Sequence, residues 1–482
     1  MSRNKLSACV LAVACACSVT AIGCVPSLKG NEPREPNKKV PGSFGDPGNA
    51  ASGTTSTAQQ KWGEFFHSAE LKALIETAMK NNRELNIQLQ EIIIAQNEVS
   101  ARKGEVLPKV SAGAGAGVEK VGDRTSQGVS DDAHGVPSNL GNFEFGLKGS
   151  WEIDVWKKLR NAAKAAAFRY LASIEAKNFV ATQIVAEIAR SYYELIALDN
   201  QIEILNRNIE IQTNAVEVVK LEKQAARVTE LAVQKFEAEV LKNRSRLYDV
   251  QQQRVQIENR INFLVGRYPQ AVNRNAQEFN APLPGGIQSG VPSQLLENRP
   301  DVRQAEAELE AAKLDVKVAK AMFYPSLTVD AQVGYRSFNA AHLVDTPESL
   351  AYGVAGGISA PLLNRAAITA QYKSANARQL QAVFNYEKIL LQAFTDVANQ
   401  LAMIDNLQKG YELQSQQVDR LTQAVEVSNV LFQSARADYM EVLMTRRDSL
   451  EAQMELIETK KRQFQAMVNV YQALGGGWRS GT

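Results

Sequence analysis

Through most of this chain apolar residues recur every three or four positions, and in four short stretches they recur at every second position. The helical period dominates. From Ser150 to Val265 there is neither glycine nor proline, and between Leu362 and Leu474 Gly410 is the only such residue. Glycine and proline punctuate ordinary globular chains far more often. Within the first run Ile174, Ala181, Val185, Ile188, Tyr192, Leu195, Leu198, Ile202, Leu205 and Ile209 step by three or four and share one seam. A helix from near Lys157 to near Leu221 would be about 95 Å long at the usual rise. Such a helix belongs in an elongated antiparallel bundle. The dense Gln, Asn, Glu and Lys between the seam positions read as its solvated face.

The alternating stretches are "VSAGAGAGV", "FEFGLKGSWEIDV", "LTVDAQVGYR" and "AYGVAGGISAPL". In the second, Phe143, Phe145, Leu147, Trp151, Ile153 and Val155 take one face, against Glu144, Lys148, Ser150, Glu152 and Asp154. In the third, Leu327, Val329, Ala331, Val333 and Tyr335 oppose Thr328, Asp330, Gln332 and Arg336. In the fourth, Tyr352, Val354 and Ile358 oppose small residues; the first sets Val110, Ala112, Ala114, Ala116 and Val118 against Ser111 and glycines. This pattern fits transmembrane barrel strands, apolar toward lipid and polar toward a lumen. A half-buried soluble sheet alternates in the same way. On the barrel reading Glu144, Lys148, Glu152, Asp154, Asp330 and Arg336 face the lumen, and Trp151, Tyr335 and Tyr352 mark lipid interfaces. Small barrels need about eight strands, so several copies of a four-stranded chain must share one.

The same order of elements occurs twice. Pro108 aligns with Pro325, Asn81 with Asn298, Ala95 with Ala312 and Gly117 with Gly334. Farther on, Arg227 aligns with Arg436, Val233 with Val442, Leu247 with Leu456 and Gly266 with Gly475. A tandem duplication is expected, its copies spanning residues 61–285 and 291–478. Each copy reads helix, strand, polar loop, strand, very long helix, helix. The two proline junctions mark where a helix stops and a strand begins.

Composition narrows the function. The formal net charge is +2 and no basic block stands out, so nucleic acid is not an expected partner. His67, His134 and His342 are scattered, and no metalloprotease, Walker or dinucleotide pattern occurs. No enzyme, cofactor or metal is expected. Residues 1–23 carry Arg3 and Lys5 before an apolar run, a signal-peptide pattern. They end "AIGC", which resembles a bacterial lipoprotein box with lipid (palmitate among its acyl groups) on Cys24; ordinary cleavage nearby is the alternative. Val25 after that cysteine points to the outer membrane. Cys9, Cys15 and Cys17 lie inside the leader, so no disulfide framework is expected. Residues 24–60 are rich in Pro, Gly, Ser and Asn and read as a lipidated tether.

Three motifs carry a resemblance. "LLENRPDVRQAEAELEAAK" resembles the L-L-x-R-R-P-D-I-R-x-A-E signature of TolC-like outer-membrane efflux channels, in their lipoprotein (NodT-type) branch. "WEIDVWKKLR" resembles that branch's W-E-I-D-x-F-G-x-L-R, and "YQALGGGW" matches its terminus. The resemblance implies a mainly α protein whose homotrimer closes a 12-stranded transmembrane β-barrel on a long α-helical coiled-coil tunnel in the periplasm. It also implies an exit duct that works with a periplasmic adaptor and an inner-membrane pump of the resistance-nodulation-division class.

Family tunnels turn and close at paired helix tips. Here these fall at Ala226, Arg227, Val228 and Thr229, and at Ala435, Arg436, Ala437 and Asp438. Ala226 and Ala435 stand where the family has glycine, and alanine disfavours the left-handed turn such tips use. Tyr439, Glu441, Met444 and Arg447 are the expected periplasmic gate. Met444 replaces the family's aspartate, and Glu441, at i−3, is expected to supply the charge for Arg447. A solvated surface set is the plainer reading of these four. A lipid-anchored periplasmic coiled-coil scaffold without a pore is the competing function, and the alternating strands argue against it.

Overall fold

The computed structural model describes residues 25–28, 30–44, 56–280, 289–363, 365–434 and 436–479. The leader, Cys24 and Ala435 lie outside the described residues. The chain divides into two compact units. One comprises Met1–Pro36, Ile92–Ala172 and Glu306–Asn385, and the other Asn37–Glu91, Ser173–Ala305 and Tyr386–Thr482.

The elements follow the duplicated order. In the first copy α1 (Ala69–Asn81) and α2 (Arg83–Glu105) lead to β1 (Lys109–Lys120). A connection carrying α3 (Ser126–Ala133) then leads to β2 (Asn139–Ile153), α4 (Lys158–Gln224) and α5 (Glu230–Val265). The second copy has α6 (Pro300–Ala321), β3 (Ser326–Ser337), β4 (Leu350–Ser359), α7 (Ala366–Gln433) and α8 (Tyr439–Ala473). The runs without breakers became helices of 67 and 68 residues, α4 and α7. Both helix-to-strand transitions fall at the expected prolines, Pro108 and Pro325. Proline lacks the helical N–H donor and disfavours helical backbone in the residue before it.

The first unit holds a four-stranded antiparallel sheet in the order β1-β2-β3-β4. Its register confirms the faces read from alternation. Ala114, Phe145, Tyr335 and Leu350 lie directly across from one another, as do Ala112, Leu147, Val333 and Tyr352. The Phe145 and Tyr335 rings stack 5.4 Å apart. Among the described residues this apolar face is left largely uncovered: Tyr352, Val354 and Ile358 are 81, 78 and 77% exposed. Trp151, opposite Val329, donates its indole N–H to the Val106 carbonyl at 3.0 Å, at the helix-to-strand end of the sheet. Tyr335 reaches Thr346 at the opposite end, with 3.1 Å between hydroxyls. Trp151 and Tyr335 thus lie toward opposite ends of the apolar face, and Tyr352 lies across from Val333.

The segment after Cys24 is packed against the helices where it is described. In the first unit Val25 and Leu28 pack against Phe323, Tyr372 and Ala375 at the α6–β3 junction. Gln379 donates to the Arg34 carbonyl at 2.9 Å, and Lys313 pairs with Glu35 at 2.6 Å. In the second unit Phe44 stacks on Phe394. Residues 25–28, 30–36 and 37–44 thus make packing contacts, each within its own unit.

In the second unit the duplication is visible atom by atom. Gly266 (φ 78°) closes α5, and a Cβ there would lie 2.5 Å from the Asn81 carbonyl oxygen. Gly475 (φ 93°) closes α8 at the same distance from the Asn298 carbonyl. Only glycine fits such a left-handed, crowded cap. Asn82 then donates to the Leu264 carbonyl at 2.7 Å, and its counterpart Arg299 to the Ala473 carbonyl at 2.9 Å. Arg299 also pairs with Asp301 at 2.7 Å, so the "NRPD" signature fastens a helix start to a helix end. The main core here gathers Trp62, Phe65, Phe66, Leu71 and Ile75 with Tyr192, Leu195, Phe464 and Tyr471.

Candidate functional site

Two regions carry the residues singled out from sequence: the polar sheet face in the first unit and the hairpin tips in the second.

On the sheet, Glu144, Lys148, Asp330 and Arg336 share the polar face with Gln332 and Ser150, as alternation requires. Lys148 bonds Glu144 at 3.2 Å, and Arg336 donates to Asn142 at 3.1 Å. Glu152 continues the face and pairs with Lys158 at 2.5 Å. Asp154 departs from the expectation of a lumen-facing carboxylate. Its side chain is only 3% exposed and accepts from the backbone N–H groups of Leu159 and Arg160 at 3.1 and 2.9 Å. The strand has ended there, so alternation no longer decides its direction. The carboxylate instead satisfies the free donors of the α4 N-terminus, where negative charge is favoured.

Gly146 and Gly334 were not singled out as a pair, yet they shape this face. They sit opposite each other, and a Cβ on either would lie 2.4 or 2.3 Å from a carbonyl oxygen of the facing strand. Those Cβ positions point to the polar side. At this pair the facing strands leave no room for a side chain on that side.

At the first tip α4 ends in a Schellman motif. Arg227 N–H donates to the Glu222 carbonyl and Ala226 N–H to Lys223, each at 2.9 Å. Ala226 takes φ 55°, so the left-handed turn is kept without its glycine. Thr229 stands at the N-cap of α5. Arg227 and Thr229 are exposed, and Val228 packs on the local core of Val216, Val219, Ala232, Val233 and Phe236. At the second tip Arg436 N–H donates to the Leu431 carbonyl at 2.8 Å, the matching long-range bond of that motif. Asp438 caps α8 by accepting from Met440 N–H. Arg436 and Asp438 are exposed, and Ala437 is half-buried. Each hairpin thus carries an exposed arginine two residues before the N-cap of its second helix; Asp438 caps through its side chain, whereas Thr229 makes no side-chain cap hydrogen bond.

The four gate residues do not converge within one chain. Tyr439 and Leu443 pack against the first tip's apolar core. Glu441 and Met444 are exposed. Arg447 bonds Asp448 at 3.3 Å rather than Glu441, and its Nε is buried with no hydrogen-bond partner.

The two hairpins differ in how they are fastened. In the first, Lys220 pairs with Glu237 at 3.0 Å and Lys223 with Glu230. The matching positions in the second are Asn429, Arg446, Phe432 and Tyr439. Arg446 donates one N–H to Asn429 at 2.8 Å, while its Nε and Nη1 are buried without partners. Burial lowers its pKa from the ordinary arginine range.

Among the described residues no cluster of His, Cys, Asp or Glu is placed to hold a metal ion, and no helix is long and apolar enough to cross a membrane.

Comparison with known proteins gives a consistent picture. The family model described as outer membrane efflux protein matches residues 74–267 and 291–476. The pyoverdine export outer membrane protein OpmQ of Pseudomonas aeruginosa is 29% identical over 431 residues, covering 89% of this chain and 90% of that protein. The probable outer membrane lipoprotein SilC of Salmonella typhimurium is 26% identical over 458 residues, covering 95% and 96%. A crystal structure of a membrane protein from Pseudomonas aeruginosa superposes with a TM-score of 0.84 at 24% identity, covering 94% of this chain and all of that one.

Proposed function

This chain belongs to the outer membrane efflux protein family, and from that premise we propose that it is the exit duct of a tripartite efflux system, working as a homotrimer. One observation carries the reading: a sheet with an exposed apolar face, a polar opposite face and two edge strands, β1 and β4, without a strand partner among the described residues. Such a sheet is stable in a bilayer only when closed, because an open edge leaves unpaired backbone groups in lipid. Four strands cannot close a barrel and twelve can. The helical hairpins then form the periplasmic tunnel below.

The finer assignments follow from placement. Cys24 carries the lipid anchor, since Val25 and Leu28 are docked at the α6–β3 junction, where apolar strands give way to helix. The exposed Arg227, Thr229, Arg436 and Asp438 meet a periplasmic adaptor, which joins the duct to an inner-membrane pump of the resistance-nodulation-division class. Glu441 and Arg447 close the tunnel between neighbouring protomers, because within one chain neither finds the other. Glu144, Lys148, Glu152, Asp330 and Arg336 line the barrel with mixed charge. A poreless scaffold has no use for an exposed apolar sheet face.

The test is a purified trimer with heat-modifiable migration, reconstituted in planar bilayers. Glu441→Ala and Arg447→Ala are each expected to raise single-channel conductance. Unchanged conductance in both rejects the gate, and a protein that never inserts rejects the duct.

A further inference from the structure

We infer that Lys460 is the residue that positions α7: its ammonium, held between the ring of Tyr411 on α7 and the ring of Phe464 on α8, keeps the second hairpin together where the first relies on ion pairs. The inference deepens the gate reading above, and only its effect on conductance rests on that reading.

The correspondence that pairs Gly266 with Gly475 gives each fastening of the first hairpin a counterpart in the second. In the first, Arg260 pairs with Glu187 at 2.5 Å, Arg254 with Asp199 at 3.9 Å and Lys220 with Glu237 at 3.0 Å. The matching positions hold Asn469 and Asp396, Gln463 and Gln408, and Arg446 and Asn429. Every pair has lost at least one charged member. Among the described residues no ion pair joins residues 399–433 of α7 to α8; Lys409, Arg447 and Lys461 pair within their own helices.

In place of charge pairs a cation sits between rings. Lys460 Nζ lies 5.2 Å from the centroid of the Tyr411 ring and 5.4 Å from that of Phe464. Both distances are within reach of the ring quadrupole, and the attraction grows as the cation loses water. Lys460 is half-buried, burial lowers its pKa from the ordinary lysine range, and among the described residues no carboxylate pairs with it. Phe464 in turn stacks on Tyr193 of α4 at 4.5 Å. The row Tyr411, Lys460, Phe464, Tyr193 therefore crosses three helices. The first copy has Ile202, Gln251 and Val255 where the second has Tyr411, Lys460 and Phe464, so the row belongs to the second hairpin alone.

The two helices of this hairpin are held unequally. Leu450 and Met454 of α8 pack with Leu198, Leu205 and Val250, and Tyr439 and Leu443 join the core of the first tip. Neither cluster includes a residue of α7. Beyond Tyr411, α7 runs about 33 Å farther to Gln433. Along that arm the polar link to α8 is Arg446 on the Asn429 amide. Lys460 is thus the upper anchor of the arm, and releasing it frees α7 to part from α8.

The experiment uses the purified trimer. It reads hydrogen exchange in peptides spanning residues 403–415, and single-channel conductance in planar bilayers. Lys460→Met keeps the length and removes the charge; Tyr411→Leu removes the ring. Each should speed exchange of that stretch about three- to tenfold and raise conductance. The double variant should add little to either alone, because both remove one contact. Lys460→Arg and Tyr411→Phe keep the cation and the ring and should stay near the parent in both readouts. If Lys460→Met forms no trimer, Lys460→Gln replaces it, since Gln251 fills the matching position of the first hairpin. Exchange unchanged by loss of the charge, or as fast in Lys460→Arg as in Lys460→Met, overturns the clasp, and so does full additivity in the double variant. Faster exchange with unchanged conductance, where Glu441→Ala and Arg447→Ala do raise it, overturns the positioning role and leaves the gate standing. If those two variants conduct like the parent, the gate reading falls and exchange alone decides the clasp.

Discussion

Replacing Ala226 by glycine should tighten the first hairpin tip. Ala226 holds φ 55° to close the Schellman motif at the end of α4. In the left-handed region an alanine Cβ crowds the following carbonyl, at a cost of about 1–2 kcal/mol. Glycine removes that cost but widens the unfolded ensemble by about 0.4–1 kcal/mol. The net gain for Ala226→Gly is about 0.5–1 kcal/mol, or roughly a two- to fivefold smaller population of the opened tip. Hydrogen exchange of the assembled protein reads this directly, because the Arg227 amide is held by the Glu222 carbonyl. Peptides spanning residues 221–232 should exchange two- to fivefold more slowly in Ala226→Gly. In Ala226→Val they should exchange faster, since a β-branched side chain is worse still at positive φ. Exchange unchanged or accelerated by glycine would refute the claim that the turn is strained.

Gly334→Val should abolish the unheated trimer band, because its Cβ would sit 2.3 Å from the Phe145 carbonyl oxygen, whereas Gly113→Ala, with open space around it, should leave the band intact. Tyr192 is fully buried, its hydroxyl within 3.0 Å of Ser68 and donating to Glu278 at 3.2 Å, and burial pushes its pKa up to about 12. A raised phenol pKa stabilises the fold fully below pH 10 and loses that contribution between pH 10 and 12. Denaturation at pH 8 and 11 should therefore show a loss on the order of 1 kcal/mol that Tyr192→Phe lacks; equal pH slopes would refute it. Asn429→Asp gives Arg446 the acid it lacks and should slow exchange across the second hairpin by about fivefold, or about 1 kcal/mol, with lower conductance; faster exchange would mean that Arg446 is content with the amide.

The elements and the sheet faces were legible because each rests on a local rule. Alternation sorted Phe145, Leu147, Val333 and Tyr335 from Glu144, Lys148, Gln332 and Arg336, and the register agrees at every pair. The failure at Asp154 has the same origin. The rule holds only while the strand lasts, and β2 ends at Ile153. Lys157 was legible but passed over. It stands where the "W-E-I-D-x-F-G-x-L-R" motif has glycine, and it keeps φ 60°. The two glycine substitutions with described geometry, Lys157 and Ala226, thus both preserve the backbone and accept the strain. Illegible from sequence were the tertiary pairings, such as Arg447 with Asp448 rather than Glu441, which depend on rotamers that no spacing rule encodes.

Where the copies agree they build the frame, and where they diverge they separate two jobs. The glycine caps on Asn81 and Asn298, the hairpin registers and the junction prolines are the same in both, since each solves a backbone problem that both copies face. The tips are not the same. The first hairpin is cross-linked by Lys220–Glu237 and Lys223–Glu230, while the second has Arg446 on an amide with two buried donors unsatisfied. Near its tip the second hairpin thus lacks the two ion pairs that fasten the first. That same hairpin carries Glu441 and Arg447. A duct that opens at its periplasmic end needs one set of helices fixed and another free to part. On the gate proposed above, this difference between the hairpins would leave α4–α5 fixed and let α7–α8 part.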